Sequence, residues 1–248
     1  MSLKAIIWDV DGTLVDSEEL HRAAFNWAFE HVGLDWHWSR RTYGDLLNVT
    51  GGKERIRHFI DFSNINEESL PATPEEIHAM KTEWYSQIVR KGELALRNGV
   101  GAIIEEAFEK EIRLAIATTT SPSNVEDLFV SGVLKREHWE TVVAGGQVAH
   151  KKPAPDVYLE VLRRLDLKST DCIAVEDSEN GMDSAATAKI PTIITTNEYT
   201  HHQNFGKEIA LVHCLKHGYP TLEGKMAQIT ISHFEAWHAA AKTLGHAD

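Results

Sequence analysis

The chain has 248 residues, 42% of them apolar and 25% charged, with 37 acidic against 25 basic side chains and a formal net charge of -12. That composition supports a sizeable core rather than disorder, and the acidic balance excludes general binding to nucleic acid or anionic membranes, which needs a basic surface. No apolar run approaches the roughly 20 residues of a membrane span, no signal-peptide pattern opens the chain, and Cys172 and Cys214 stand far apart in no metal-ligand spacing, so a reducing cytoplasm is the expected setting.

The first predicted element is the strand LKAIIW (3–8), which runs directly into Asp9 and Asp11. Two like charges so close destabilise each other unless something neutralises them. From residue 16 to about 96 the pattern is helical: SEELHRAAFNWAFEHVG, PEEIHAMKTEWYSQIVRKG and the stretch between them carry apolar residues at helical spacing, with no strand-like run among them. After that, helix and strand alternate. Helices are expected over 99–110, 122–134, 155–165 and 179–189. Continuous β-branched runs predict strands at 112–118, 141–145, 171–176 and 190–196, with a weaker one at 209–213. Residues 222–240 read as a terminal amphipathic helix.

This order predicts an α/β fold: a Rossmann-like, mostly parallel sheet core formed by residues 1–15 and 97–248, with an α-helical domain, residues 16–96, inserted after the first strand. Ligands of such sheets bind beyond the carboxyl ends of the strands. Four expected strand ends carry polar chemistry: Asp9 and Asp11; Thr118, Thr119 and Thr120; Lys151 and Lys152 after a loop; and Glu176 with Asp177. Clustered carboxylates make a hard oxygen site suited to Mg²⁺, which usually completes its octahedron with water and substrate phosphate. Lys152 is a point-charge partner for phosphate, the Thr118 hydroxyl a donor to it, and the N–H groups around Asp11-Gly12-Thr13 a possible cradle. The assembly reads as a phosphoryl-transfer site.

The four elements, DVDGTL (9–14), the strand end at Thr118, KPAPD (152–156) and EDSENG (176–181), resemble the four motifs of the haloacid dehalogenase superfamily in their order. The helical insertion is similar to that superfamily's α-helical cap. The resemblance implies a covalent mechanism: Asp9 attacks phosphorus, and Asp11 protonates the leaving oxygen and then activates water. It further implies Mg²⁺ held by Asp9, the Asp11 backbone carbonyl, Glu176 and Asp177, with Thr118 and Lys152 on the transferring phosphate. An acid at Asp11 points to phosphate chemistry, since the dehalogenases lack one there. The segments DSEELHRAAFN, VTGGKERI and KTEWYSQIV resemble the β-phosphoglucomutase-like group, and most of all its CbbY branch of sugar-bisphosphate phosphatases, which acts on xylulose bisphosphate. On that resemblance Glu18, His21, Lys53, Arg55 and Lys81 face the substrate, Lys53 and Arg55 holding a second phosphate, and a related pentulose or hexose phosphate stays open; Gly12, Thr13, Thr119 and Thr120 are the substrate contacts expected from the strand ends, and a cytoplasmic monomer acting on a small phosphorylated sugar is the expected form.

Blander readings stand beside these. TGGKER (50–55) is no nucleotide P-loop, because Leu47 and Glu54 occupy positions that need Gly and Ser or Thr; a phosphate clamp and a plain helix N-terminus both remain. His21 is a substrate contact or a structural histidine in equal measure. His201-His202 lacks a third ligand and reads as a surface loop, and the seven tryptophans, Trp36 and Trp38 among them, as cap packing. A phosphomutase would share the Asp9/Asp11 chemistry. Mutase relatives carry an Arg two residues beyond a Gly-Val pair in the cap, and NVTGGKER departs from that, which favours the phosphatase. A non-catalytic phosphate-binding protein on the same fold is the remaining alternative.

Overall fold

Six short strands form one all-parallel sheet in the computed structural model, which describes residues 2–217, 219–220 and 226–243. They are β1 (Ala5–Trp8), β2 (Arg113–Ala117), β3 (Trp139–Val143), β4 (Cys172–Glu176), β5 (Thr192–Thr195) and β6 (Ala210–Val212), in the spatial order β3-β2-β1-β4-β5-β6. β1 pairs with β2 on one side and β4 on the other, Ala5 lying opposite both Arg113 and Cys172. All four residues of β1 are fully buried, as a central parallel strand covered on both faces requires. Sheet order therefore reverses beside β1, and the crevice outside its carboxyl end is the expected ligand position of a doubly wound sheet.

The chain forms two compact units: residues 1–16, 95–122 and 135–248, and residues 17–94 with 123–134. The first holds the sheet and the helices α5 (Val100–Glu109), α7 (Asp156–Leu165), α8 (Glu179–Thr187) and α9 (Ile231–Thr243). Its core is built where Val157, Tyr158, Val161 and Leu165 of α7 pack on Ala5, Ile7, Ala115 and Ala117. Small residues on the strands admit this close helix approach.

The second unit is helical: α1 (Glu18–His31), α2 (Arg40–Leu46), α3 (Gly52–Phe62), α4 (Pro74–Arg90) and most of α6 (Pro122–Val130). α4 starts at a full capping box, Thr73 and Glu76 satisfying each other's backbone N–H groups, with Pro74 at the first position. Phe25, Phe29, Trp38 and Tyr43 fill its centre with ring centroids 4.7–6.3 Å apart. Residues 123–134 group with the helices rather than with the sheet, where the sequence placed them. The buried Asp127 of α6 accepts from the Ser86 hydroxyl and, at 2.6 Å, from Arg90 Nε, both on α4.

The C-terminal helix differs from its expected span. It begins at Ile231 instead of 222; Met226–Ala227 pair antiparallel with Tyr219–Pro220 as β8 and β7, and 221–225 lie outside the described residues. Among the described residues no helix is long and apolar enough to cross a membrane.

Candidate active site

The end of β1 delivers Asp9, whose N–H continues the ladder by donating to Val175 O at 3.0 Å. The chain then turns tightly, with Gly12 at φ +78°. A Cβ at Gly12 would strike Asp177 Oδ2 and, at 2.6 Å, Asn197 Nδ2, so the position needs both the backbone freedom and the missing side chain. The turn closes on itself: Gly12 N–H donates to Val15 O at 2.8 Å and Thr13 N–H to Val10 O at 3.3 Å. These two N–H groups, expected as part of an anion cradle, are engaged within the turn. The buried Thr13 hydroxyl has no hydrogen-bond partner among the described residues.

β4 delivers Glu176 and Asp177. Carboxylate oxygens of Asp9, Glu176 and Asp177 lie within 4.8 Å of one another, and all three residues are buried. Lys152 reaches between two of them, 2.6 Å from Asp9 Oδ1 and 2.6 Å from Glu176 Oε1, and gives its third N–H to Ala117 O at 2.9 Å. Burial pushes the Asp9 carboxyl well above the usual carboxylate range. Lys152 pulls it back, while Glu176 and Asp177 push it up again. Burial alone would lower the Lys152 ammonium; the two carboxylates outweigh it and hold its pKa above the ordinary value. Tyr158 of α7 donates its hydroxyl to Glu176 Oε1, the same oxygen that Lys152 holds. Glu176 Oε2 is buried with no hydrogen-bond partner among the described residues.

Three buried carboxyl groups stand around one ammonium, a formal excess of two negative charges, and one oxygen in the cluster is orphaned among the described residues. That donor set, all oxygen and net anionic, fits a hard divalent cation of the Mg²⁺ kind. Gly181, in the first turn of α8, leaves room for the Glu176 carboxylate: a Cβ there would meet it directly.

From the end of β2 comes Thr118, buried, its N–H on Val143 O at 3.0 Å. Its Oγ1 accepts from Thr120 N–H at 3.1 Å, which leaves the hydroxyl proton to point elsewhere as a donor. Thr119 O packs where a Cβ on Gly145 would be, and Thr120 O accepts from Gly145 N–H at 2.7 Å, so the β2 and β3 ends are tied together.

Residues 6–195 match the family described as haloacid dehalogenase-like hydrolase. Protein CbbY of Cupriavidus necator is 44% identical over 217 residues, covering 85% of this chain and 85% of that protein. The chain belongs to the haloacid dehalogenase-like hydrolase family, in its CbbY branch. A crystal structure of CbbY from Rhodobacter sphaeroides in complex with phosphate shares its fold at a TM-score of 0.80 and 43% identity, covering 86% of this chain and 95% of the other. A mutant of that protein in complex with xylulose-(1,5)bisphosphate matches with the same TM-score, identity and coverage.

Within the helical unit of this CbbY-branch hydrolase, the residues singled out by sequence fall into two groups. His21 and Lys81 are buried and face each other, Nζ 2.7 Å from Nδ1, with the ammonium 5.0 Å from the Phe25 ring and 4.9 Å from the Tyr85 ring. His21 also stacks on Tyr85 at 4.1 Å. Glu18 accepts the Tyr43 hydroxyl at 2.7 Å, and Arg55 donates to that hydroxyl at 3.3 Å and to Val49 O at 3.0 Å. Lys53 and Arg55 both lie in the first turn of α3, so TGGKER is a helix N-terminus capped by Gly51 at φ +104°. His201 and His202 are exposed in a turn.

Sequence reasoning missed Tyr158, Gly181 and Asn197. Asn197 follows β5 and donates to Asp177 Oδ2 at 2.6 Å. The strand-end rule that found the other four groups would have found it too.

Proposed function

We propose that this chain is a Mg²⁺-dependent phosphatase that releases phosphate from a small sugar phosphate or bisphosphate of the xylulose bisphosphate kind. The observation that carries the reading is the buried cluster of Asp9, Glu176 and Asp177 with Lys152 between them, at the ends of adjacent parallel strands. A sugar phosphate is supported by the relatives: CbbY takes phosphate and xylulose-(1,5)bisphosphate in its crystal structures. Metal would be held by Asp9, Glu176, Asp177 and the Asp11 carbonyl, and when bound it neutralises the carboxylates and the phosphate approaching them.

In this reading an Asp9 oxygen attacks phosphorus, the bond to the sugar oxygen breaks, and Asp11 gives that oxygen its proton. Water then attacks the aspartyl-phosphate, Asp11 takes the water's proton, and inorganic phosphate leaves with Asp9 restored. Lys152 offsets part of the rise that burial gives the Asp9 pKa and, with the Thr118 hydroxyl, binds oxygens of the transferring group. Thr119, Thr120, Gly12 and Thr13 shape the turn and loop around it. Glu18, His21, Lys53, Arg55 and Lys81 are assigned to the sugar and its second phosphate. The ordered partners of Arg55 and Lys81 support this, because a held cation loses less entropy on binding an anion. Both cysteines are free, in keeping with a cytoplasmic enzyme.

The test is inorganic phosphate release from xylulose 1,5-bisphosphate and a panel of sugar monophosphates, with Mg²⁺ and with chelator. Mg²⁺-dependent release that Asp9→Asn abolishes is expected. Conversion of a sugar bisphosphate without free phosphate would mean a mutase, and turnover unaffected by Asp9→Asn would remove the nucleophile.

A further inference from the structure

We propose that Arg97 and Asn197 act as a positioning relay that fixes the Asp177 carboxylate for metal binding. Neither residue belongs to the four motifs, and the inference rests on the metal reading of the site given above.

The amide of Asn197 faces one way only. Its Oδ1 accepts from Tyr199 N–H at 2.8 Å, and its own N–H donates to Thr200 Oγ1 at 3.1 Å, closing an Asx turn beyond β5. With Oδ1 so engaged, Nδ2 is turned to Asp177 Oδ2 at 2.6 Å and Gly12 O at 3.3 Å. A hydrogen bond on one carboxylate oxygen sets the plane of the group and hence the direction of the other oxygen. Outer partners of this type are what orient metal-binding carboxylates.

Arg97 holds the frame around that amide. Its guanidinium donates to Thr195 O at 2.9 Å, to Thr196 O at 2.6 Å and to Gly12 O. The first two carbonyls belong to the backbone leading directly into Asn197; the third is the acceptor that Asn197 shares. A rigid planar fork suits three converging carbonyls, which a lysine cannot reach together. Arg97 is itself anchored, its N–H on Leu14 O at 2.9 Å beside the Val15–Leu96 bridge. The cluster has no slack, as the clash of a Cβ at Gly12 with both Asp177 and Asn197 demonstrates. The carboxylate is thus set from β5 and from the segment that precedes α5, two parts of the chain outside the motif that carries it.

The experiment measures Mn²⁺ and Mg²⁺ binding directly, by electron paramagnetic resonance and calorimetry, on the full-length wild type, Asn197→Ala, Arg97→Lys and the double variant. Melting in metal-free buffer is followed in parallel. Each single variant should bind metal about 10–100-fold more weakly. The double variant should be no weaker than the worse single one, because both act on the same carboxylate. The Mg²⁺ concentration for half-maximal phosphate release should rise with the dissociation constant, while the sugar-phosphate KM at saturating metal stays put. Metal affinity in Asn197→Ala equal to wild type overturns the inference, as do fully additive losses, which would separate Arg97 from Asn197. Arg97→Lys keeps the charge and carries the test should Asn197→Ala fail to fold. Wild-type protein that takes up no metal overturns the metal reading, and the inference with it.

Discussion

Replacing Lys152 by methionine removes a buried charge while keeping most of the side chain's bulk. The ammonium has three N–H groups and uses all of them: Asp9 and Glu176 at 2.6 Å each, and Ala117 O at 2.9 Å. At 2.6 Å and an effective dielectric of about 20, each ion pair carries a gross attraction of about 6 kcal/mol. Desolvation offsets most of it, and loss of one partner of a buried pair costs about 3–5 kcal/mol net, because the remaining charges are stranded. Here two carboxylates are stranded, and the third, Asp177, is close by. At about 2–4 °C per kcal/mol for a chain of this length, the metal-free variant should melt about 6–20 °C below the parent. Mg²⁺ should recover more of the melting temperature in Lys152→Met than in the parent, since a cation entering the three carboxylates replaces the lost charge. The assay is thermal unfolding by circular dichroism, with chelator and with Mg²⁺. A variant melting within about 2 °C of the parent in chelator would refute the electrostatic account of the cluster.

Gly181→Ala places a methyl against Glu176, whose Oε1 would be 2.6 Å away and other carboxylate atoms nearer. Overpacking should cost about 1–3 kcal/mol and raise the Mg²⁺ requirement; unchanged melting and metal dependence would contradict it. Asp11→Asn should lower the turnover number by roughly 10²–10⁴ while direct Mn²⁺ titration shows affinity retained, whereas lost affinity with a normal rate at saturating metal would make Asp11 a side-chain ligand. His238, buried in α9 with Nε2 donating to Thr170 O at 2.9 Å, has its pKa held low, by burial first and then by Lys242. Its neutral form therefore stabilises the fold fully above the ordinary histidine value of about 6.5, and that stability is lost as pH falls through the lowered folded value. His238→Gln, which keeps the N–H donor, should flatten the fall in melting temperature between about pH 7 and pH 5; parallel curves for the two proteins would exclude His238 as the cause.

The sheet was legible because its strands are buried on both faces and so read as unbroken apolar runs, AIIW and CIAVE above all. β3 was read two residues late, at 141–145 instead of 139–143: it lies at the sheet edge, and after the buried Trp139 its opening runs through the exposed Glu140 to the half-buried Thr141 and Val142. Side chains at strand ends were legible from topology alone, which is why Asp9, Thr118, Lys152, Glu176 and Asp177 were singled out together. Tyr158 was not, because from sequence it is one more apolar position on the inner face of α7, and only its hydroxyl's reach to Glu176 sets it apart. Arg97 left no local signal either, since its three carbonyl partners come from segments 85 to 99 residues away. The extent of the helical unit was only partly readable, as the membership of residues 123–134 rests on the buried Asp127 and not on any break in the chain's pattern.

The central place of β1 has a consequence for how the chain is made. The strand is synthesised first, yet both neighbours that flank it come later, and Lys152 follows Asp9 by 143 residues. Glu176 is translated last of the cluster, 167 residues after Asp9. At about 5–20 residues per second, the ribosome takes roughly 8–30 s to span that interval. Until β2 follows, the apolar strand has no pairing partner, and until Lys152 follows, its aspartate has no counter-ion. The inserted helices lengthen this wait, although at equilibrium they add little, because closure entropy grows only with the logarithm of loop length. They can fold in the meantime, being rich in local contacts, so α1 to α4 are expected to leave the ribosome structured before the sheet is complete.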